Sequence, residues 1–311
     1  MRVDKNQNFN FLFSPALSAI YNVDENNTLR VSFGRAIRNP TLQDQYLRYD
    51  VGRAILLGNL NGYDSLVTLQ SFDNYRNQSA LDRENLNYFN VDPIEPEQVA
   101  TLELGYRATF FERLFLDFNA YHSWYTQFIG YQFGLDLEFD NPIAPNNFTS
   151  LQAYRIAANA QDLVTTVGFS LGFNYYITDE LTFNGNYTFN RLDLRGSNSS
   201  IIPAYNTPEN KFNIGLNGRG YKIWPAKEHR LGFAVNLKWV QGFLFEGSPQ
   251  FTGYIEDYAL TDAQVSYSIP SIYSTFKIGA SNLLNNEVYQ VYGGLTIGRL
   301  AYFSIIFENF N

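Results

Sequence analysis

Two histidines, His122 and His229, and no cysteine make up the whole supply of soft or borderline metal ligands in 311 residues. A zinc site needs three or four N, S or O ligands. His122 falls near the upper end of one alternating segment, and His229 falls at a short turn on the opposite rim, so the two imidazoles are not expected to meet. A Ser-His-Asp set would have to recruit one of them, and no Gly-x-Ser-x-Gly elbow is present. Asp136, Glu138 and Asp140 alternate, which could offer oxygen ligands to a hard cation such as Ca²⁺ and equally suits a solvated loop base. Gly215-Leu216-Asn217-Gly218-Arg219-Gly220 has glycines without a following helix, so it lacks the context of a phosphate loop. No catalytic residue, metal site or cofactor is assigned, and the chain is not expected to be an enzyme.

Residues suited to holding a ligand are more plentiful. The stretch 37–97 carries Arg38, Tyr46, Tyr49, Arg53, Tyr63, Tyr75 and Tyr88. Tyr offers a flat amphipathic surface and Arg adds charge, the two types that concentrate at binding hot spots. Tyr131 lies near the top of its segment, and Tyr289 and Tyr292 lie in the last long connection. Trp124 and Tyr125 fit a ligand surface, but an aromatic belt at a membrane interface uses the same residues.

The elements that would position these groups are strands. Phe and Tyr number 27 and 23 among 311 residues, and aromatic residues favour strands. Mean hydropathy is −0.25, and no stretch approaches the roughly 18 apolar residues of a membrane helix. A formal charge of −8 argues against nucleic acid as a partner. Period-two alternation recurs throughout. Leu181, Phe183, Gly185, Tyr187 and Phe189 oppose Thr182, Asn184, Asn186, Thr188 and Asn190, and Leu102, Leu104, Tyr106, Ala108 and Phe110 oppose Thr101, Glu103, Gly105, Arg107 and Thr109.

About eleven such strands are expected, each long enough for a tilted membrane crossing. Short polar turns near 24–27, 111–113, 178–180, 224–229 and 271–274 alternate with long connections at 37–97, 137–153, 194–209, 246–257 and 284–297. That rhythm is the one an antiparallel up-and-down transmembrane β-barrel shows, with tight turns on the periplasmic rim and long loops outside. A soluble sandwich would have shorter strands, and no repeat of fixed period marks a propeller or solenoid. The stretch 37–97 is then a long extracellular loop.

Three blocks resemble TonB-dependent receptors, particularly those common in Bacteroidetes. They are Arg35 to Leu42 with Gln45-Tyr46-Leu47 and Val51 to Asn59; Ile94-Glu95-Pro96-Glu97 through Glu103-Leu104-Gly105-Tyr106; and Ser281 to Asn286 with Gly298-Arg299 through Phe310. The resemblance implies a barrel of about 22 strands around an N-terminal plug, energised through a TonB complex in the inner membrane. Residues 1–311 are then the C-terminal part of the barrel. The N-terminal barrel half and the plug, and contact with TonB through it, are expected to lie outside this chain, since no apolar leader, plug or TonB box is seen before the strands. The closing strand places Phe303, Ile305 and Phe307 in phase, with Phe310 off phase before Asn311.

The leading expectation is a receptor in the outer membrane of a Gram-negative bacterium, surrounded by outer-membrane lipid, importing a siderophore, cofactor or oligomeric nutrient. A passive porin-like channel or a surface adhesin barrel is the alternative.

Overall fold

A computed structural model describes residues 2–5, 7–77, 83–140, 148–193, 205–224, 227–247 and 252–307. The expectations for Phe310, Asn311 and most of the 194–209 connection lie outside these residues. A short pair, β1 (Arg2–Asp4) and β2 (Leu12–Ser14), precedes β3 (Ala16–Asn22) and β4 (Asn27–Arg38). Then come α1 (Leu42–Tyr46), β5 (Arg48–Asp50), β6 (Ile55–Leu57), β7 (Tyr63–Val67), α2 (Leu69–Arg76) and β8 (Tyr88–Val91). Three hairpins follow: β9 (Glu97–Phe110) with β10 (Leu114–Thr126), β11 (Ile129–Phe139) with β12 (Phe148–Asn159), and β13 (Val164–Tyr176) with β14 (Leu181–Asp193). The chain continues through β15 (Asn210–Lys222), β16 (Arg230–Val240), the short β17 (Phe243–Phe245) and β18 (Gly253–Ile255), and β19 (Tyr258–Ile269). It closes with β20 (Ser274–Ser281) and β21 (Leu300–Phe307).

Eleven strands form one antiparallel up-and-down sheet in the order β3-β4-β9-β10-β13-β14-β15-β16-β19-β20-β21. This is the expected strand number, and the short turns fall where the sequence places them. At the β9–β10 turn both Phe111 and Glu112 have positive φ, 54° and 57°, the pairing that matches the right-handed twist of a hairpin.

The alternation sorts the two faces. Val31, Leu104, Phe183, Val235, Val265, Ile278 and Phe303 share the outward face and are exposed. The inward face is polar, with Ser32 donating to Glu103 at 3.1 Å, Arg107 to Asp117 at 2.8 Å, and Asn119 to Asp117 at 2.7 Å. Three times a polar side chain reaches over a glycine to the strand beyond its neighbour. Arg30 meets Asn119 across Gly105 at 3.0 Å, Tyr121 meets Asn190 across Gly168 at 2.8 Å, and Tyr302 meets Gln264 across Gly279 at 2.9 Å. A Cβ on Gly105 would stand 3.0 Å from the Asn119 oxygen, and one on Gly168 2.5 Å from the Tyr121 ring, so larger residues there would block the crossings.

The connections at one rim differ from the expectation. The stretch 37–97 is not irregular loop. It folds with β11 and β12 into a second, six-stranded sheet of order β5-β6-β12-β11-β7-β8. The long connection placed at 137–153 is corrected accordingly. The chain leaves the large sheet after Thr126, runs out as β11 and returns through β12 to rejoin at Val164. The apolar positions change phase at this point, from even numbers in β10 (Leu116, Phe118, Ala120, Trp124) to odd numbers in β11 (Ile129, Tyr131, Phe133, Leu135). The break is conformational: Gln127 lies in the left-handed region (φ 56°), and Ala160 N–H donates to the Phe128 carbonyl at 2.8 Å to close the neck. The 246–257 connection likewise contains β18, which pairs with β17 just before it.

Candidate ligand-capture surface

The second sheet stands on apolar packing. Leu57, Leu66, Val91, Ile156 and Ala158 form one cluster, and Val67, Phe72, Tyr75, Leu86 and Leu135 another. Local signals explain its first turn. Thr41 and Asp44 form a reciprocal cap on α1, the Thr41 hydroxyl accepting from the Asp44 N–H and the Asp44 carboxylate accepting from the Thr41 N–H. Gly58 lets β6 close against α1, since a Cβ there would lie 2.4–2.6 Å from the backbone of Gln45, Tyr46 and Leu47.

Asn59, fully buried, ties the stretch to the hairpin. Its amide donates to the carbonyls of Asp92 at 2.7 Å and Ala157 at 2.9 Å, and its side-chain oxygen accepts the Gly62 N–H at 2.9 Å. Glu97, 5% exposed at the start of β9, does the same for the rim. Its carboxylate faces Arg38 at 3.5 Å and accepts the N–H of Ile129 at 2.9 Å.

The candidate residues are distributed over this body rather than gathered in one pocket. Arg38 ends β4 and pairs with Glu97. Tyr46, Tyr49 and Arg53 are exposed near the β5 edge, with the Tyr46 hydroxyl accepting from Asn8 at 2.9 Å. Tyr63 and Tyr88 belong to β7 and β8 at the opposite edge. Tyr63 donates its hydroxyl to the Gly58 carbonyl at 2.9 Å, and burial raises its pKa above the ordinary range; Tyr88 is exposed. Tyr75, completely buried, is a core residue and offers no surface. Tyr289 and Tyr292 lie apart, in the β20–β21 connection, with the Tyr292 ring against Gly253. Trp124 and Tyr125 point to opposite faces: Trp124 joins the outward side beside His122, while Tyr125 packs edge-on to Phe128. His229 hydrogen-bonds the Tyr267 hydroxyl at 2.7 Å on the other rim. Among the described residues, no group of three His, Cys, Asp or Glu side chains could hold a metal ion.

Tyr131, 7% exposed at the centre of the second sheet, brings in residues that the sequence reading passed over. The Arg155 guanidinium lies over its ring, 3.5 Å from the centroid, and Arg155 Nε has no hydrogen-bond partner among the described residues. Glu246 approaches the pair. Burial raises its carboxyl pKa, and Arg155 opposes that shift. Asn206 clasps the Glu246 backbone with two bonds, 2.7 and 3.0 Å, so the 205–209 and 243–247 segments converge on the hairpin. Burial also pushes the neighbouring Tyr205 hydroxyl well above its ordinary range, and Tyr121 adds to the shift. Arg83 repeats the arrangement over Phe139 at 3.5 Å, with Nε and Nη2 unpartnered among the described residues. One sequence signal for Arg155 existed: it is the single charge in the twelve residues of β12. A desolvated guanidinium stacked on an aromatic ring is a strong donor toward an anionic or carbonyl-rich ligand.

A family model described as "TonB dependent receptor-like, beta-barrel" matches residues 1–283. No curated protein matches the chain by sequence. Among solved structures, the "Copper transporter OprC" superposes with a TM-score of 0.58 at 12% identity, over 94% of this chain and 39% of that one. The FrpB iron transporter from Neisseria meningitidis (F5-1 variant) gives 0.58 at 14% identity, over 95% and 39%. The siderophore receptor PirA from Acinetobacter baumannii gives 0.55 at 14% identity, over 96% and 41%. These likenesses are of fold, and the chain spans about two fifths of the length of each of those structures.

Proposed function

The chain belongs to the TonB-dependent receptor β-barrel family, a family of the Gram-negative outer membrane, and on that premise we propose that residues 1–311 form the C-terminal part of the barrel of an outer-membrane nutrient receptor. The observation that carries the reading is the opposite polarity of the two faces of the eleven-stranded sheet. Exposed Leu, Val, Ile and Phe on the outer face are favourable against lipid and unfavourable against water at about 25 cal/mol per Å². In hydrocarbon an open sheet edge leaves backbone groups unsatisfied at several kcal/mol each. Among the described residues, β3 and β21 each pair on one side only within this sheet. Further strands close the barrel in this reading, a plug occupies the polar lumen, and TonB acts through the plug.

The cargo is a siderophore or another scarce nutrient too large or too dilute for passive entry. The second sheet forms the outer capture surface, with Tyr131, Arg155 and Glu246 at its centre and Arg38, Tyr46, Tyr49, Arg53, Tyr63 and Tyr88 around it. Tyr289 and Tyr292 contribute from the last connection. A genomic neighbourhood or growth screen would nominate cargoes, and binding to the full-length receptor tests them. The reading requires that uptake depend on TonB and on the second sheet. Uptake indifferent to TonB would mark a passive channel, and surface attachment without uptake an adhesin.

A further inference from the structure

The outward face is apolar through most of its height and changes character at the rim of the long connections. Two neighbouring rows of the strand register define the change. The upper row runs Arg35, Ala100, Trp124, Thr165 and Asp193 across β4, β9, β10, β13 and β14. The row beneath runs Phe33, Leu102, His122, Val167 and Arg191 on the same strands. Arg35 and Arg191 are exposed and make no salt bridge among the described residues. Arg35 shares a hydrogen bond with the neutral amide of Gln98. The His122 ring stands 4.4 Å from that of Trp124. One carboxylate, Asp193, belongs to this corner, above Arg191.

Immediately below these cations the face is dented. Ala120 sits between Leu104 and Phe169 in the next row, and its small side chain leaves an open groove of about 440 Å³, lined by Leu102, Leu104, Phe118, His122, Val167 and Phe169 among others. A groove of hydrocarbon side chains on a lipid-facing wall accepts an acyl chain, but lipid tails are equally at home in the bilayer, so the groove alone selects nothing. Selection must come from the charged end. Arginine binds phosphate oxygens in a bidentate fork, imidazole adds an N–H donor, and Trp favours the headgroup level. Arg35 and Arg191 lie four strand steps apart, about 19 Å at 4.8 Å per step, a span suited to a headgroup with separated phosphates.

We infer that this corner holds a multiply acylated, phosphate-bearing lipid of the surrounding membrane, with a chain in the groove over Ala120 and its phosphates against Arg35, His122 and Arg191. The inference rests on the membrane-barrel reading above, with the long connections at the outer leaflet.

Detergent-solubilised full-length receptor, titrated with lipid A, with dephosphorylated lipid A and with inorganic phosphate, tests it by native mass spectrometry. Lipid A should be retained, the dephosphorylated form should bind at least tenfold more weakly, and phosphate alone should not be retained. An Arg35→Ala/Arg191→Ala double variant should lose at least tenfold in lipid A affinity, and Ala120→Trp should lose affinity with every charge in place. Heat-modifiable mobility, measured on each protein, reports whether the barrel has formed. If the wild type shows none, the barrel reading falls and this inference with it. If all proteins are heat-modifiable and the variants bind lipid A as the wild type does, the lipid site alone is overturned.

Discussion

The carboxylate of Glu97, at the first position of β9, accepts the backbone N–H of Ile129, at the first position of β11, at 2.9 Å. One buried side chain thus joins the wall of the large sheet to the body above it. Glu97→Ala should leave the Ile129 N–H without its acceptor and Arg38 without its counter-charge. The expected loss is about 1–3 kcal/mol, the range for a buried group left unsatisfied, confined to the docking of the β11–β12 hairpin. Hydrogen exchange over 129–159 in the full-length protein should accelerate while barrel mobility on gels is unchanged. Unaltered protection of 129–159 would show that the apolar clusters alone hold the hairpin.

Asn59 makes three side-chain hydrogen bonds in a fully buried site. At about 1 kcal/mol net for each, Asn59→Ala should weaken the second sheet by roughly 3 kcal/mol. Limited proteolysis should cut within 39–96 in the variant and not in the wild type, and the eleven-stranded sheet should remain resistant in both.

Phe183 is exposed on the outward face, whereas Asn184 faces the lumen beside Gly215. Leu104→Arg, at the middle of β9, should cost about 2–4 kcal/mol; Phe183→Arg, close to the turn that starts β14, should cost less, and Asn184→Arg should be mild. Folding titrations into lipid vesicles give the order. The reverse order would mean a register shifted by one residue, which turns every side chain to the other face.

Glu246 carries a raised carboxyl pKa, caused first by burial and opposed by Arg155. The folded state therefore holds this proton more tightly than the unfolded chain does. Its contribution is fully present below the ordinary value of 4.5 and is lost as pH rises through the higher folded value. Exchange protection around Tyr131 and Arg155 should fall with rising pH across that window, and Glu246→Gln should flatten the dependence. A pH response that survives the substitution would have to come from another group.

Deleting 39–96 alone should be more damaging than loop deletions usually are, because it strips Leu66, Val67, Phe72 and Tyr75 from Leu135 and Ile156 and leaves the β11–β12 hairpin with an uncovered apolar face. Removing 39–96 together with 128–160 should assemble cleanly and abolish cargo capture. Equal assembly yields from both deletions would show that the hairpin is stable without its partner strands.

The number of strands in the large sheet, the face each residue takes and the positions of the short turns were legible in the chain itself. Each depends on local patterning: period-two alternation sets the face, and a short turn joins antiparallel neighbours. Leu104, Phe183 and Phe303 are outward, and Arg107, Asn184 and Asn186 inward, for no reason more distant than their neighbours. The second sheet was not legible, because alternation reports a half-buried strand without saying which sheet buries it. The change of apolar phase between Trp124 and Ile129 marks a break, which the left-handed backbone at Gln127 makes, but it does not say which strands β11 then joins. Long-range packing alone decided that Tyr75 is core while Tyr88 is surface, that Arg155 lies on Tyr131 with Glu246 brought from about 90 residues away in sequence, and that Arg35 and Arg191 frame one corner of the outer wall. Those relationships come from which strands lie side by side, and strand order is a property of the folded sheet that no single segment encodes.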